Sequence, residues 1–132
     1  MKTLIVEDDF TSRLLLQELL KEFGPSHIAV NGREAVAAVR TGLASGEPYD
    51  LICLDVMMPE MDGFEALTEI RRMEEERELL PPRGAKIFMV TALDGIKNVT
   101  RGFRGLCDSY LVKPVEKARL LEQLHSFGLF EG

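Results

Sequence analysis

Hydrophobic residues follow two different patterns along the chain. Five short runs are continuously apolar, namely residues 4–6, 28–30, 51–54, 87–90 and 110–112, and amphipathic stretches separate them. Continuous apolar runs are typical of strands in a parallel sheet that is covered on both faces, because neither side of such a strand meets water. The pattern therefore predicts five parallel strands.

The stretches between these runs show helical spacing. In the first of them Leu16, Leu20 and Phe23 recur every three or four positions, and Gly24 ends the pattern. Helices are predicted at about residues 11–23, 33–40, 64–78, 96–104 and 118–127, with a loop at 41–48, where glycine, serine and proline are frequent. Strands that alternate with helices predict a doubly wound α/β fold with helices on both faces of the sheet. Periodicity alone leaves the strand order open.

Composition narrows the function classes. The 132 residues are enough for one domain with a real core, and we expect a single domain over 1–132 with no fused output domain. A net charge of −6 argues against nucleic acid as a direct partner. No apolar run is long enough to span a membrane, and the early acidic residues do not fit a signal peptide. Cys53 and Cys107 form no Cys-x-x-Cys pair, so we expect reduced thiols and a cytoplasmic location.

Charged residues follow three of the predicted strands. Glu7 and Asp8 come after the first strand, Asp55 closes the third, and Lys113 follows the fifth. In an open parallel sheet the carboxyl ends of the strands meet at one edge, where ligands bind. Three carboxylates gathered there repel one another, so we expect a bound cation to offset their charge. A divalent metal, a lysine and one carboxylate that is not needed to hold the metal together indicate phosphoryl-transfer chemistry.

Each of these signals taken alone has an ordinary structural explanation. Asp9 is best interpreted as the N-cap of the first helix, and Asp8 has that alternative too. Asp55 alone would fit the start of a turn, and Thr91 the end of a strand. Their joint placement, with one signal at each strand end, makes chance a poor explanation.

Five segments carry a resemblance to a known family. They are residues 4–8 (LIVED), 31–35 (NGREA), 54–63 (LDVMMPEMDG), 90–92 (VTA) and 110–114 (YLVKP). Together they resemble the receiver domain of two-component response regulators, and the sequence is similar to the stand-alone chemotaxis type. The resemblance covers essentially the whole chain. It implies a flavodoxin-like fold with strand order 2-1-3-4-5.

The resemblance also implies a metal site and a phosphoacceptor. Asp55 would be the phosphoacceptor, and Mg²⁺ would be held by Glu7, Asp8, Asp55 and the backbone carbonyl of Met57. Glu7 stands where aspartate is commoner in the family, and it would act mostly through water.

Three further positions are implied to take part in the reaction and the switch. Lys113 and Thr91 would contact phosphoryl oxygens, and Thr91 with Tyr110 would form the switch. A cis peptide bond is implied between Lys113 and Pro114, and Val115 stands where an aromatic residue is frequent in the family.

The implied function is a phosphorylation-activated signalling switch. A histidine kinase or a histidine phosphotransfer protein would donate the phosphoryl group. The domain would then bind an unidentified downstream protein, or form a homodimer, through its fourth helix, fifth strand and last helix. Lys97, Arg101 and Arg104 lie along one face of that predicted fourth helix. Such a domain is regulatory and catalyses only its own phosphorylation and dephosphorylation.

Two other classes remain as alternatives. A phosphatase or phosphotransferase with an aspartyl nucleophile would place a second acid two residues after Asp55, but Met57 stands there. A flavodoxin-like flavin binder would need a loop rich in serine, threonine and glycine after the first strand. Instead, Glu7, Asp8 and Asp9 would repel a flavin phosphate.

Overall fold

The computed structural model describes residues 1–58, 61–79, 83–92 and 106–130, and strands and helices alternate through them. In chain order the elements are β1 (Thr3–Val6), α1 (Phe10–Leu20), a 3-10 turn (Lys21–Phe23), β2 (Ser26–Ala29), α2 (Gly32–Ser45), β3 (Leu51–Asp55), α3 (Gly63–Glu76), β4 (Lys86–Thr91), β5 (Ser109–Val112) and α4 (Lys117–Ser126). Each of the five predicted strands is present, with shifts of one or two residues at its ends. The helix predicted at 96–104 lies outside the described residues.

The five strands form one parallel sheet in the order β2-β1-β3-β4-β5. This order confirms the predicted doubly wound α/β fold. The chain turns to one side of β1 to build β2 and then to the other side to build β3, so the order reverses at β1 and β3. Val6 pairs with Leu54, and the residues that follow these two strands therefore emerge side by side.

The sheet separates two hydrophobic layers. Ile5, Cys53 and Phe88 point to the face covered by α1 and α4, whereas Leu4, Ile52 and Met89 point to the face covered by α2 and α3. All six side chains are fully buried. Burial on both faces explains why the strand runs are continuously apolar. No helix in the described part of the chain is long and apolar enough to cross a bilayer.

Helix α2 is longer than predicted. It continues to Ser45, so the loop predicted at 41–48 is wrong over its first half. Val39 and Gly42 continue the buried stripe of the helix, and the glycine lets the carbonyl of Glu47 approach closely. The helix ends at Gly46, which adopts a left-handed conformation and donates its backbone N–H to the carbonyls of the preceding turn.

Two glycines bring the loop between β3 and α3 close to its neighbours. A Cβ atom on Gly63 would lie 2.2 Å from the carbonyl oxygen of Asp55, and one on Gly32 would lie 2.2 Å from that of Met61. The N–H of Gly63 donates to the carbonyl of Val56 at 3.0 Å. The loop that follows Asp55 is therefore fixed against both β3 and the start of α2.

A network around Arg71 holds α3 against the edge of the sheet where the strands begin. The guanidinium donates to the carbonyls of Leu106 (2.7 Å) and Ala85 (2.8 Å) and pairs with Glu74 (2.7 Å) and Asp108 (2.9 Å). A carboxylate oxygen of Asp108 also accepts the N–H of Ile87 at 2.8 Å, and Glu74 accepts that of Ala85 at 2.7 Å. We call these residues the Arg71 network. It joins α3 to the amino ends of β4 and β5.

The contact at Gly63 yields a stability prediction. Gly63→Ala should lower the free energy of unfolding by about 2 kcal/mol or more, because the added methyl group collides with backbone atoms of β3 that cannot move aside. Urea unfolding monitored by circular dichroism measures the effect. Thr68→Ala, at an exposed position of the same helix, should change stability by less than about 0.5 kcal/mol. Equal stabilities of the two variants would contradict the prediction.

Candidate functional site

The three carboxylates predicted at the strand ends lie together at the carboxyl edge of the sheet. One carboxylate oxygen each from Glu7, Asp8 and Asp55 lies within 4.8 Å of the others. Glu7 is 0% exposed and Asp55 3% exposed, whereas Asp8 faces solvent. The cleft therefore has a buried acidic floor and one accessible acid at its mouth.

Lys113 supplies the positive charge of the site. Its Nζ lies 2.8 Å from Oε1 of Glu7 and 3.3 Å from Oδ2 of Asp55. Its backbone N–H donates to the carbonyl of Thr91 at 2.8 Å, which holds the lysine beside the end of β4. The peptide bond between Lys113 and Pro114 is cis, as the resemblance implied. One lysine thus bridges acids from two strands.

Burial and mutual interaction shift the pKa values of these groups in different directions. Burial, reinforced by the hydrogen bond and the charge of Glu7, raises the pKa of Asp55 to about 7. Burial also opposes the ionisation of Glu7, but hydrogen bonds with Asp55 and Lys113 outweigh it and lower the pKa of Glu7. Burial disfavours the charged form of Lys113, yet its two acidic partners raise its pKa above the usual value. Near neutral pH, Asp55 is therefore the acid that keeps a proton most readily.

Backbone hydrogen bonds orient the acids. The N–H of Met57 donates to Oδ1 of Asp55 at 3.1 Å, and the N–H of Asp9 donates to Oε2 of Glu7 at 3.2 Å. Asp9 itself accepts the N–H of Ser12 at 2.9 Å and caps α1, which confirms the structural role predicted for it. Both acids of the floor are thus held in place by the turns that follow their strands.

The other predicted residues lie on, or directly after, strands β3, β4 and β5. Thr91 is buried at the end of β4, and its hydroxyl donates to the carbonyl of Ala92 at 3.2 Å. Tyr110 is half-buried on β5 against the core beneath α2 and α3. The side chain of Met57 is 78% exposed. The surface predicted from Lys97, Arg101 and Arg104 lies outside the described residues.

Sequence reasoning missed one neighbour of the site. Nη1 of Arg13 lies 3.4 Å from the carbonyl oxygen of Glu7, and its guanidinium lies over the ring of Phe10. The spacing of four residues between Asp9 and Arg13 was the signal, because it places an arginine one helical turn after the cap. A cavity of about 100 Å³ is lined by Glu7 and Lys113 together with apolar residues that include Leu16 and Val115.

Comparison with known proteins decides the family. The sequence model described as "Response regulator receiver domain" matches residues 3–125. The chain belongs to this family. It is 37% identical over 129 residues to "Hybrid signal transduction histidine kinase B" of Dictyostelium discoideum, covering 93% of this chain and 6% of that protein. The chain spans between 4% and 50% of the length of eight curated relatives that it matches.

Solved structures support the same assignment. The receiver domain of sensor histidine kinase PA1611 from Pseudomonas aeruginosa, solved with magnesium in its active-site cleft, is 28% identical with a TM-score of 0.70 (96% of this chain, 95% of that one). The co-crystal structure of the Saccharomyces cerevisiae phosphotransfer protein Ypd1 with the Ssk1 receiver domain gives 26% identity and a TM-score of 0.79 (97% and 88%). The chain is therefore a regulatory receiver domain of two-component signalling. The phosphatase and flavin-binding alternatives are not favoured.

The raised pKa of Asp55 predicts that wild type and Asp55→Asn differ in stability, and that this difference depends on pH. Between about pH 4 and pH 7 the unfolded chain loses the Asp55 proton before the folded chain does, so stability falls as pH rises through this window. An asparagine at this position cannot ionise. Without metal, Asp55→Asn should therefore be more stable than wild type by about 1–3 kcal/mol above pH 7, because one pKa unit is worth about 1.4 kcal/mol.

Urea unfolding of the two proteins at pH 4.5, 6 and 8 measures this difference. The stabilisation should be largest at pH 8 and small at pH 4.5. Glu75→Gln, which neutralises an exposed acid on α3, serves as the control and should show no such trend. A stability difference between Asp55→Asn and wild type that stays constant with pH would show that the carboxyl group of Asp55 titrates normally in wild type.

Proposed function

We propose that this receiver domain is a phosphorylation-activated switch in which Asp55 is the phosphoacceptor. The observation that carries the proposal is the placement of Asp55, which is buried at the end of β3, close to Glu7 and Asp8 and in contact with Lys113. Its ionised carboxylate attacks the phosphorus of a phosphohistidine, and a carboxylate oxygen–phosphorus bond forms. The nitrogen–phosphorus bond breaks, and its electron pair returns to the imidazole of the donor.

The donor set fits Mg²⁺. Glu7, Asp8 and Asp55 offer carboxylate oxygens, which are the ligands that this ion prefers, and these oxygens lie close enough to share one ion. Asp8 and Asp55 would hold the ion with the backbone carbonyl of Met57, and Glu7, paired with Lys113, would act through water. When bound, the ion would neutralise the charge that develops on the transferred phosphoryl group.

Lys113 and Thr91 have complementary roles in the proposal. Nζ of Lys113 already contacts Asp55, so a phosphoryl oxygen on that residue would come within its reach. The hydroxyl of Thr91 now bonds a neighbouring carbonyl, and it would turn to a second phosphoryl oxygen. This bond, made only in the phosphorylated state, would bias the domain toward a conformation in which Tyr110 moves inward.

The family supports a proposal for the partners. A histidine kinase or a histidine phosphotransfer protein would donate the phosphoryl group, since a relative is a histidine kinase and a similar structure holds a phosphotransfer protein. The domain itself would catalyse only its own phosphorylation and dephosphorylation. A downstream protein partner, a phosphorylation-dependent homodimer and a cytoplasmic location stay predictions.

Direct phosphorylation tests the assignment of Asp55. With Mg²⁺ and acetyl phosphate at neutral pH, intact-mass spectrometry should detect one added phosphoryl group on wild type. Asp55→Asn should lose this labelling. Asp50→Asn changes an exposed aspartate at the edge of the sheet where the strands begin, away from the cleft, and should keep the labelling. Full labelling of Asp55→Asn would assign the phosphoacceptor to another residue.

Two adjacent aspartates allow a matched test of the metal site. Asp8→Asn should weaken Mg²⁺ binding by about tenfold or more, because it removes a charged ligand that faces the cleft. Asp9→Asn should bind Mg²⁺ like wild type, since asparagine also caps helices. Titration of amide chemical shifts with Mg²⁺ measures both affinities. If Asp8→Asn binds normally, Asp8 is not a ligand.

A further inference from the structure

A pocket of about 230 Å³ lies at the edge of the sheet where the strands begin, at the other end of β3 from Asp55. Its walls come from the segments before β3 and β4, the end of α3 and the segment after α4. The lining includes two leucines, two acids and two cations, namely Leu79, Leu129, Asp50, Glu74, Arg83 and Lys86. We call it the amino-edge pocket.

The two acids in the wall already have partners. Glu74 is 4% exposed, and its carboxylate accepts Nη1 of Arg71 and the backbone N–H of Ala85, both at 2.7 Å. Asp50 accepts the backbone N–H of Lys2, also at 2.7 Å. A ligand in the pocket is therefore not needed to satisfy either acid.

The two cations in the wall have no acidic partner in the described part of the chain. Arg83 is exposed and Lys86 is half-buried, and neither forms an ion pair with a described carboxylate. Nζ of Lys86 lies 5.9 Å from the centre of the Phe127 ring, a contact that supplies no oxygen acceptor. An anion is therefore the ligand that would complement the polar part of the pocket.

Three properties of the pocket describe this anion. A volume of about 230 Å³ equals that of about eight water molecules, so the pocket fits a ligand of about eight non-hydrogen atoms. Leu79 and Leu129 favour a ligand with an apolar body. Glu74 and Asp50 would repel a doubly charged group more strongly than a singly charged one, so a carboxylate fits better than a phosphate.

We propose that the amino-edge pocket binds a small carboxylic acid in its ionised form. Its carboxylate would contact Arg83 and Lys86, and its hydrocarbon body would lie against Leu79 and Leu129. The planar guanidinium of Arg83 can donate two N–H groups to one carboxylate, and Lys86 adds a second positive charge. The site does not include Asp55, so this binding activity goes beyond the proposed phosphorylation switch and does not depend on it.

Hexanoate matches the pocket in size and charge and serves as the probe. Titration with hexanoate should give saturable chemical-shift changes at the amides of Ala85, Lys86 and Leu129, with a Kd of about 1–20 mM for a ligand of this size. Hexanol lacks the charge, and inorganic phosphate lacks the hydrocarbon body. Each should bind at least about fivefold more weakly than hexanoate.

Substitutions test the contribution of each cation. Arg83→Gln and Lys86→Met remove the charge but keep a long side chain, and each should raise the Kd for hexanoate about fivefold or more. Lys117→Met removes the same charge from an exposed position of α4 and should leave the Kd within about 1.5-fold of wild type. Labelling by acetyl phosphate should be equal in wild type and all three variants, so a failure of the Asp55 assignment would be detected separately.

Four results would overturn the proposal. The first is the absence of saturable shifts up to about 50 mM hexanoate. The second is an unchanged Kd in either Arg83→Gln or Lys86→Met, and the third is equal affinity for hexanoate and hexanol, because the cations would then contribute nothing. The fourth is phosphate binding as tight as that of hexanoate, which would show that the leucines do not select the ligand.

Discussion

Two buried carboxylates share one lysine, and the geometry of the site depends on this contact. Lys113 follows β5, whereas Glu7 follows β1, and β3 and β4 lie between these strands. At about 4.8 Å per strand β1 and β5 are about 14 Å apart, and only a long side chain reaches across that distance. A buried carboxylate without a partner would cost several kcal/mol, so the lysine makes the burial of Glu7 tolerable. The same contact ties the two sides of the sheet together across the cleft.

The fold and most of the site were predictable because both depend on simple rules. Continuous apolar runs identified the five strands, and the meeting of strand ends at one edge placed Glu7, Asp8 and Asp55 together. The strand order needed the family resemblance, because periodicity does not determine which strands are neighbours. The role of Asp9 as a cap was predictable from its position before an amphipathic stretch.

Other features depend on distances that the sequence does not show. The contact of Lys113 with Glu7 requires knowledge of how far a side chain reaches across two strands. The raised pKa of Asp55 depends on the depth of its burial. The Arg71 network joins residues up to 37 positions apart, and no local pattern indicates such a network. The length of α2 was missed because Gly42 was interpreted as part of a loop, although it is a buried point of close contact.

The Arg71 network has a mechanical consequence for β5. Among the described strands β5 pairs with β4 alone, so no strand supports its outer side. Its start is clamped through Asp108, and Lys113 lies at its far end. At that far end the backbone N–H of Lys113 bonds the carbonyl of Thr91, and β5 pairs with β4 along its whole length. A force on the side chain of Lys113 from the cleft is therefore carried by β4 and by the Arg71 network together, and not by β5 alone.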